Sequence, residues 1–162
     1  MKKTLAIAGT LALALTPTAS FADHLEPKQS EIRASGNLAH TNLNGSKLTG
    51  AKLSGVNLKR AVLKDADLSG ANLNSSFLAG ADLSEANLSG AEMKDANLLF
   101  ADLTGADLSE ANLTGANLNG SNLSGTNMSG ARLDGIRATN LRGCPSSLPS
   151  GWFCENNSLI QS

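Results

Sequence analysis

The strongest constraint in this sequence is a five-residue period that continues without a gap through most of the chain. Counting in fives from residue 38 to residue 133, every central position is Leu or Met, which gives 20 consecutive units such as ADLSE, ANLSG and ANLTG. The residue two positions before the centre is Ala in 13 units and Ser, Thr or Gly in six, with Val56 as the exception. Neither a helix of period 3.6 nor a strand of period 2 produces this spacing.

The unit therefore predicts a short extended segment followed by a turn. In an extended segment, residues two apart point to the same side, so the central residue and the small residue before it face inward together. The residue between them is Asn in ten units and Asp in four, and we expect it to face solvent. The fifth residue is Gly in 12 of the 20 units, as expected where a chain turns. The predicted core ladder includes Leu38, Leu58, Leu78, Leu83, Leu98, Leu103 and Leu118.

Residues 36–135 resemble the pentapeptide repeat family, because the A(D/N)LxG-type unit recurs over 100 residues. The resemblance implies an all-β fold, a right-handed quadrilateral β-helix in which four units close one square coil. The 20 units would then build about five coils, and residues 20 apart in sequence would stack in one column along the axis.

The first 22 residues have the pattern of a secretory signal peptide. Two lysines at positions 2 and 3 precede an apolar run over 5–15, and the tripeptide Ser-Phe-Ala ending at Ala22 places small residues where a signal peptidase cuts. The apolar run of 11 residues is shorter than the roughly 20 that a membrane-spanning helix needs, so we expect no stable membrane insertion. We expect cleavage near Ala22 and export to the periplasm or the medium.

The segments on either side of the repeat differ from it. Residues 23–35 break the register and carry charges of both signs, so we expect them to cap the first coil. Residues 136–162 form a second cap of different composition. Its two cysteines, Cys144 and Cys154, are the only ones in this exported chain, and prolines near them favour a compact loop, so we expect a disulfide. The segment is similar to the CP-x-x-LP-x-GW-x-C pattern of some exported pentapeptide repeat proteins.

Large apolar residues at outward positions mark candidate partner-binding sites. Stacking the units in columns places Phe77 beside Leu99 and Phe100 on one side of the rod, in a chain that is only 3% aromatic. A contiguous exposed patch of this kind indicates a protein partner or self-association, and a bulged, partly buried site is the alternative. Trp152 and Phe153 in the C-terminal segment either cap the last coil or contact a partner.

A second side of the rod concentrates carboxylates. Asp82 stacks on Asp102, and Asp65 lies beside Glu85 in the neighbouring corner column. Four carboxylates in adjacent columns either stand solvated on the surface or hold a hard cation such as Ca²⁺.

Charge is also segregated along the axis. Residues 36–64 contain five basic and no acidic side chains, residues 65–110 contain nine acidic and one basic, and residues 111–142 contain one acidic and three basic. The whole chain has 13 basic and 14 acidic residues, which excludes a strongly basic nucleic-acid binder, so no nucleic-acid partner is expected.

The sequence favours an exported, non-enzymatic structural or protein-interaction module without a cofactor. It contains no nucleophile–base pair, phosphate-binding glycine loop or metal-spaced His/Cys set, and its short turns leave no long loop for an active site. Two alternatives stay open. The first, implied by the resemblance, is a DNA-mimicking protein that protects topoisomerases, although the signal peptide argues against it. The second, suggested by the carboxylate columns, is a Ca²⁺-dependent surface-binding protein.

Overall fold

The computed structural model describes residues 36–162 and the backbone of two short strands before them. Strand β1 (Thr4–Ile7) pairs antiparallel with β2 (Leu11–Ala14), with Thr4 opposite Ala14 and Ile7 opposite Leu11. The predicted cleavage site at Ala22 and the predicted cap over 23–35 lie outside the described residues.

Between residues 36 and 140 the chain winds into a square tube with one five-residue unit on each side. Each outward residue before a central Leu forms a parallel bridge with the residue 20 positions later, from Asn37 with Asn57 to Asn117 with Arg137. One coil is therefore 20 residues, or four units, and stacked coils are about 4.8 Å apart. We number the coils 1 to 5, over residues 36–55, 56–75, 76–95, 96–115 and 116–135.

The interior is a ladder of leucines with alanines between the rungs. The central residues are at most 5% exposed, because every side of every coil points its Leu or Met at the axis. From Ser46 onward the residue two positions earlier is buried as well, and apart from Val56 it is a small residue that fits beside the Leu of its own unit. Burying a Leu contributes about 1.5–3 kcal/mol, so the repeated ladder is the main source of stability. Leu38 is 4% exposed, and Leu58, Leu78, Leu83, Leu98, Leu103 and Leu118 are each 0% exposed.

Each corner is a tight turn closed by a backbone hydrogen bond. The carbonyl of the central residue accepts from the N–H three residues later, as Leu58 does from Ala61 at 3.0 Å. The fifth residue of the unit has a positive φ at every corner from His40 to Asn140. A positive φ at this position is the requirement of a type II turn, which explains why Gly is so common there.

The Asn or Asp before each Leu has a structural role in the turn. In all 14 units that carry Asn or Asp at this position, its Oδ1 accepts the backbone N–H two residues later, as Asp82 does from Ser84 at 3.0 Å. This N–H faces outward and has no backbone partner in the coil, so the side chain satisfies it locally.

The coil geometry extends one unit beyond the predicted end of the repeat at Gly135. Arg137 bridges to Asn117, and Leu118 donates its N–H to the Arg137 carbonyl at 2.7 Å. Ala138 occupies the central position and is 4% exposed, although it is too small to fill a Leu site. The backbone can follow the coil with Ala in place of Leu at the central position, because the axial hydrogen bonds join backbone groups and do not depend on the side chain.

A β-hairpin covers the end of the tube. Strand β3 (Trp152–Glu155) pairs antiparallel with β4 (Ser158–Gln161) through a turn whose two residues, Asn156 and Asn157, both have positive φ. Leu159 donates its N–H to the Ala138 carbonyl at 2.9 Å and joins the buried core.

The disulfide between Cys144 and Cys154 joins the loop after the last coil to β3, as predicted. Leu148, Trp152 and Cys154 pack against the core from this side. The cap therefore supplies large apolar side chains at the end of the tube, where Ala138 stands in place of a Leu.

Large corner side chains lie over a glycine of the next coil. The ring of Phe100 lies where a side chain at Gly120 would begin, and the carboxylates of Glu85 and Glu110 lie in the same way against Gly105 and Gly130. Each of these three corner residues thus projects along the axis, and its neighbour 20 positions later is a glycine without a Cβ.

This packing predicts that two chemically identical corner substitutions differ in cost. Gly120→Ala and Gly125→Ala both place a Cβ at a φ near 70°, but only the first meets a side chain, that of Phe100. We expect Gly120→Ala to lower the free energy of unfolding by about 1 kcal/mol more than Gly125→Ala in urea titrations. The double variant Phe100→Ala with Gly120→Ala should remove this difference, and equal costs for the two single variants would contradict the packing.

Candidate functional site

One side of the tube, which we call face 1, carries the exposed aromatic residues of the repeat. Face 1 consists of the outward and corner residues within 37–40, 57–60, 77–80, 97–100, 117–120 and 137–140. Phe77 is 44% exposed and Phe100 is 62% exposed, in coils 3 and 4. Leu99 lies next to Phe100 and is half-buried.

The backbone ladder holds Phe77 at an outward position. Its N–H donates to the Val56 carbonyl at 2.9 Å and its carbonyl accepts from Leu58 at 2.8 Å, so the ring projects between Asn57 and Asn97 of the coils on either side. The ammonium of Lys59 lies 5.6 Å from the ring centroid, a cation–π distance. The partly exposed ring is therefore bordered by a positive charge.

Phe100 projects from the neighbouring corner, where its φ is 59°. Its ring covers Gly120, and Arg142 lies beside it at the end of the tube. The Arg142 guanidinium donates from Nε to the Gly120 carbonyl at 3.1 Å and from Nη2 to the carbonyls of Phe100 at 3.1 Å and Ala101 at 3.3 Å. These bonds bring a second positive charge to the apolar patch.

Face 1 differs from the other three sides in charge. It contains Lys59, Arg60 and Arg137 and no Asp or Glu, whereas the next side, face 2, contains four carboxylates and one lysine. Face 2 consists of the outward and corner residues within 42–45, 62–65, 82–85, 102–105 and 122–125. Within residues 36–162 the one ion pair is that of Lys94 with Glu92, at 3.9 Å on the fourth side. The cations of face 1 therefore have no carboxylate partner in the described part of the chain.

The family model for pentapeptide repeats matches eight copies of its unit in this chain, over residues 35–65, 61–98 and 101–137. The chain belongs to the pentapeptide repeat family. Proteins of this family are right-handed quadrilateral β-helices, which is the fold of the described repeat, and they are generally structural or interaction modules.

Several solved pentapeptide repeat structures are similar to this chain. Rfr23 from the cyanobacterium Cyanothece 51142 is 32% identical, with 61% of this chain and 63% of that chain covered and a TM-score of 0.45. A protein from the Arabidopsis thaliana thylakoid lumen is 27% identical, with coverages of 65% and 66% and a TM-score of 0.42. HetL from Nostoc sp. strain PCC 7120, involved in heterocyst differentiation regulation, is 30% identical, with coverages of 65% and 62% and a TM-score of 0.25.

The match spans less than two thirds of the length of each of these structures. No curated protein matches the chain.

The predicted partner-binding residues of this pentapeptide repeat protein do not form one surface. Phe77, Leu99 and Phe100 share face 1, but Trp152 is half-buried against the core of the cap. Phe153 points to the opposite side of β3, where it is 53% exposed and lies across from Ile160. Trp152 is therefore a capping residue.

The predicted carboxylate columns lie on face 2, where their side chains take part in turns and in axial packing. Among the described residues no group of three or more His, Cys, Asp or Glu side chains is arranged to hold a metal ion. Asp82 and Asp102 each accept the hydroxyl of the following Ser84 or Thr104 at 2.6 Å, and Glu85 leans along the axis to Gly105, away from the preceding coil. Turn hydrogen bonds therefore hold Asp82 and Asp102, and axial packing holds Glu85 against Gly105.

Lys59 and Arg142 belong to the site and were missed by sequence reasoning. Lys59 could have been found from the 20-residue column rule, since it lies one coil before Ala79 on face 1. Arg142 lies beyond the last Leu centre, where the five-residue period no longer shows the register in the sequence.

In the described part of the chain there is no helix of the length and apolar content needed to span a bilayer.

Asp67, on the third side of the rod, is the carboxylate most strongly bound by hydroxyl groups. Its Oδ1 accepts from the Ser69 hydroxyl at 2.7 Å and the Ser69 N–H at 3.1 Å, and its Oδ2 accepts from the Thr49 hydroxyl at 2.7 Å. These donors, the Ser69 hydroxyl first, hold the pKa of the Asp67 carboxyl below its ordinary value of 3.8.

A lowered pKa means that the charged carboxylate stabilises the fold above its ordinary pKa, and that this contribution is lost as the pH falls through the folded-state pKa. We expect the stability cost of Ser69→Ala to be larger at pH 7 than below pH 3.8. NMR titration of this variant should show a pKa of Asp67 that is higher than in the parent protein. Ser124→Ala is the control, because Ser124 donates to the neutral amide of Asn122 at 2.8 Å. A cost of Ser69→Ala that does not change with pH would contradict this assignment.

Proposed function

We propose that this pentapeptide repeat protein is an exported, non-enzymatic interaction module that binds a protein partner through face 1. The observation that carries the proposal is the exposure of Phe77 and Phe100 beside each other on the only side of the rod without a carboxylate. Aromatic and arginine side chains are enriched in the energetically important centres of protein interfaces.

The surface chemistry supports binding over catalysis. Most hydroxyl groups beside the turns donate to an Asn or Asp of their own unit, as Ser84 does to Asp82 and Ser124 does to Asn122. The neutral amide of Asn is not a general base, so the hydroxyls that it holds are not activated as nucleophiles. The corners are two-residue turns, so the rod offers flat sides instead of long loops.

Export is the second part of the proposal. It rests on the order of features in residues 1–22, a charged start, a short apolar run and small residues ending at Ala22. The disulfide between Cys144 and Cys154 is consistent with an oxidising compartment, the periplasm or the medium.

The structure gives the DNA-mimicking alternative no added support. The carboxylates of residues 65–110 are distributed over three sides of the rod. The QnrB1 structures, described as a plasmid-mediated fluoroquinolone resistance protein, are 16–23% identical to this chain and share its fold alone.

Site-specific crosslinking in the source cells tests both parts of the proposal. A photoreactive benzoyl-phenylalanine at Ala79 on face 1 should crosslink to one protein, and the same group at Ser109 on the third side should not. Phe77→Ser combined with Phe100→Ser should abolish the Ala79 crosslink. Mass spectrometry of the same purified chain should show an N-terminus at Asp23.

Equal crosslinking from the two positions, or an Ala79 crosslink that survives the double Phe variant, would overturn the surface assignment. A crosslink to a second copy of the chain would replace the partner with self-association. Recovery of a chain that retains residues 1–22 would overturn export.

A further inference from the structure

The charges of face 1 lie at the two ends of its apolar centre. Lys59 and Arg60 are in coil 2, Phe77 and Phe100 are in coils 3 and 4, and Arg137 follows coil 5. Four coil spacings separate the first cations from the last one, which is about 19 Å along the axis.

None of these cations is in an ion pair, because the one ion pair of residues 36–162 joins Lys94 and Glu92. Asp102 lies around the corner from Phe100, and its Oδ1 accepts the hydroxyl and the N–H of Thr104. Asp95 lies at the opposite corner of face 1 and projects along the axis to Gly115. The positive charge of face 1 is therefore available to a ligand.

A second copy of face 1 is a poor occupant for this surface. Two such faces would bring six cations, three from each copy, toward each other with no carboxylate between them. The flat area is also small, because a side about 24 Å long and about 10 Å wide offers roughly 240 Å². A stable protein dimer buries about 800 Å² on each partner.

An extended peptide fits both the dimensions and the charge. A peptide in an extended conformation advances about 3.3 Å for each residue, so about six residues span the distance between the two cationic ends. Carboxylates at its ends would lie near Lys59, Arg60 and Arg137, and apolar side chains between them would cover the two Phe rings.

We infer that face 1 binds an extended acidic segment of a partner protein, in which carboxylates about six residues apart flank aromatic or aliphatic side chains. This inference rests on the proposed function and names the chemistry of its partner. The Phe rings supply the apolar contact, and the cations fix the position of the segment along the axis.

Titration with synthetic peptides tests this inference. The probe is a ten-residue peptide with two glutamates at each end and Phe and Leu at its centre. Two control peptides carry lysines in place of the glutamates, or serines in place of Phe and Leu. We expect the probe to bind at low salt, and both control peptides to bind at least tenfold more weakly.

Variants of the protein locate the binding surface. Phe77→Ser with Phe100→Ser, and separately Lys59→Glu with Arg60→Glu, should each weaken binding of the probe at least tenfold. Lys47→Glu with Lys52→Glu is the matched control, because it makes the same charge change in coil 1 on the other sides and should leave binding unchanged. Far-ultraviolet spectra should show that every variant keeps the fold.

Several results would overturn the inference. They are the absence of probe binding, binding that is equal for the charge-reversed peptide, or binding that the control pair weakens as much as the face 1 variants. Binding of vesicles with anionic phospholipid in place of the peptide would assign face 1 to a membrane surface. If the Ala79 crosslink depends on both Phe residues and the probe does not bind, the proposed function stands and the acidic-peptide inference fails.

Discussion

The rest of the structure depends on one packing constraint, the pairing of a Leu with a small residue on the inside of every unit. The two side chains point to the axis together, and only one of them can be large in a tube whose sides are five residues long. Because a small residue accompanies the central Leu or Met in 19 of the 20 units, each coil stacks on an almost identical coil, and the axial hydrogen bonds form along all four sides. The six outward positions that carry neither Asn nor Asp, Phe77 among them, are then free to carry other functions.

The sequence predicts the regular part of this architecture well. The inward positions, the corners and the columns of residues 20 apart all follow from the period, and so does the grouping of Phe77 with Phe100. It does not predict what an outward residue contacts. The orientation of Glu85 toward Gly105 depends on the positive φ of its corner, and the role of Asp82 in a turn is visible only once the N–H of Ser84 is placed.

The C-terminal end is where prediction from the period stops. Ala138 and Gly143 stand where Leu is expected, so the sequence signal disappears while the coil geometry continues over residues 136–140. For this reason the sequence does not predict that Arg142 lies beside Phe100. The hairpin has its own signal, an Asn156-Asn157 pair between two short segments of strand-forming residues, which a search for two-residue turns would find.

The most direct test of the inward ladder is a pair of adjacent substitutions to aspartate, Leu118→Asp and Asn119→Asp. Leu118 is fully buried, while Asn119 lies half-buried on the outside of the same unit, where its Oδ1 accepts the N–H and the hydroxyl of Thr139, a role that an Asp carboxylate keeps. Burying an unpaired charge costs several kcal/mol, a large part of the roughly 5–15 kcal/mol that stabilises a typical domain. In urea unfolding followed by far-ultraviolet circular dichroism, we expect Leu118→Asp to lose the cooperative transition and Asn119→Asp to unfold like the parent. A Leu118→Asp protein that unfolds at the same urea concentration as the parent would contradict the account.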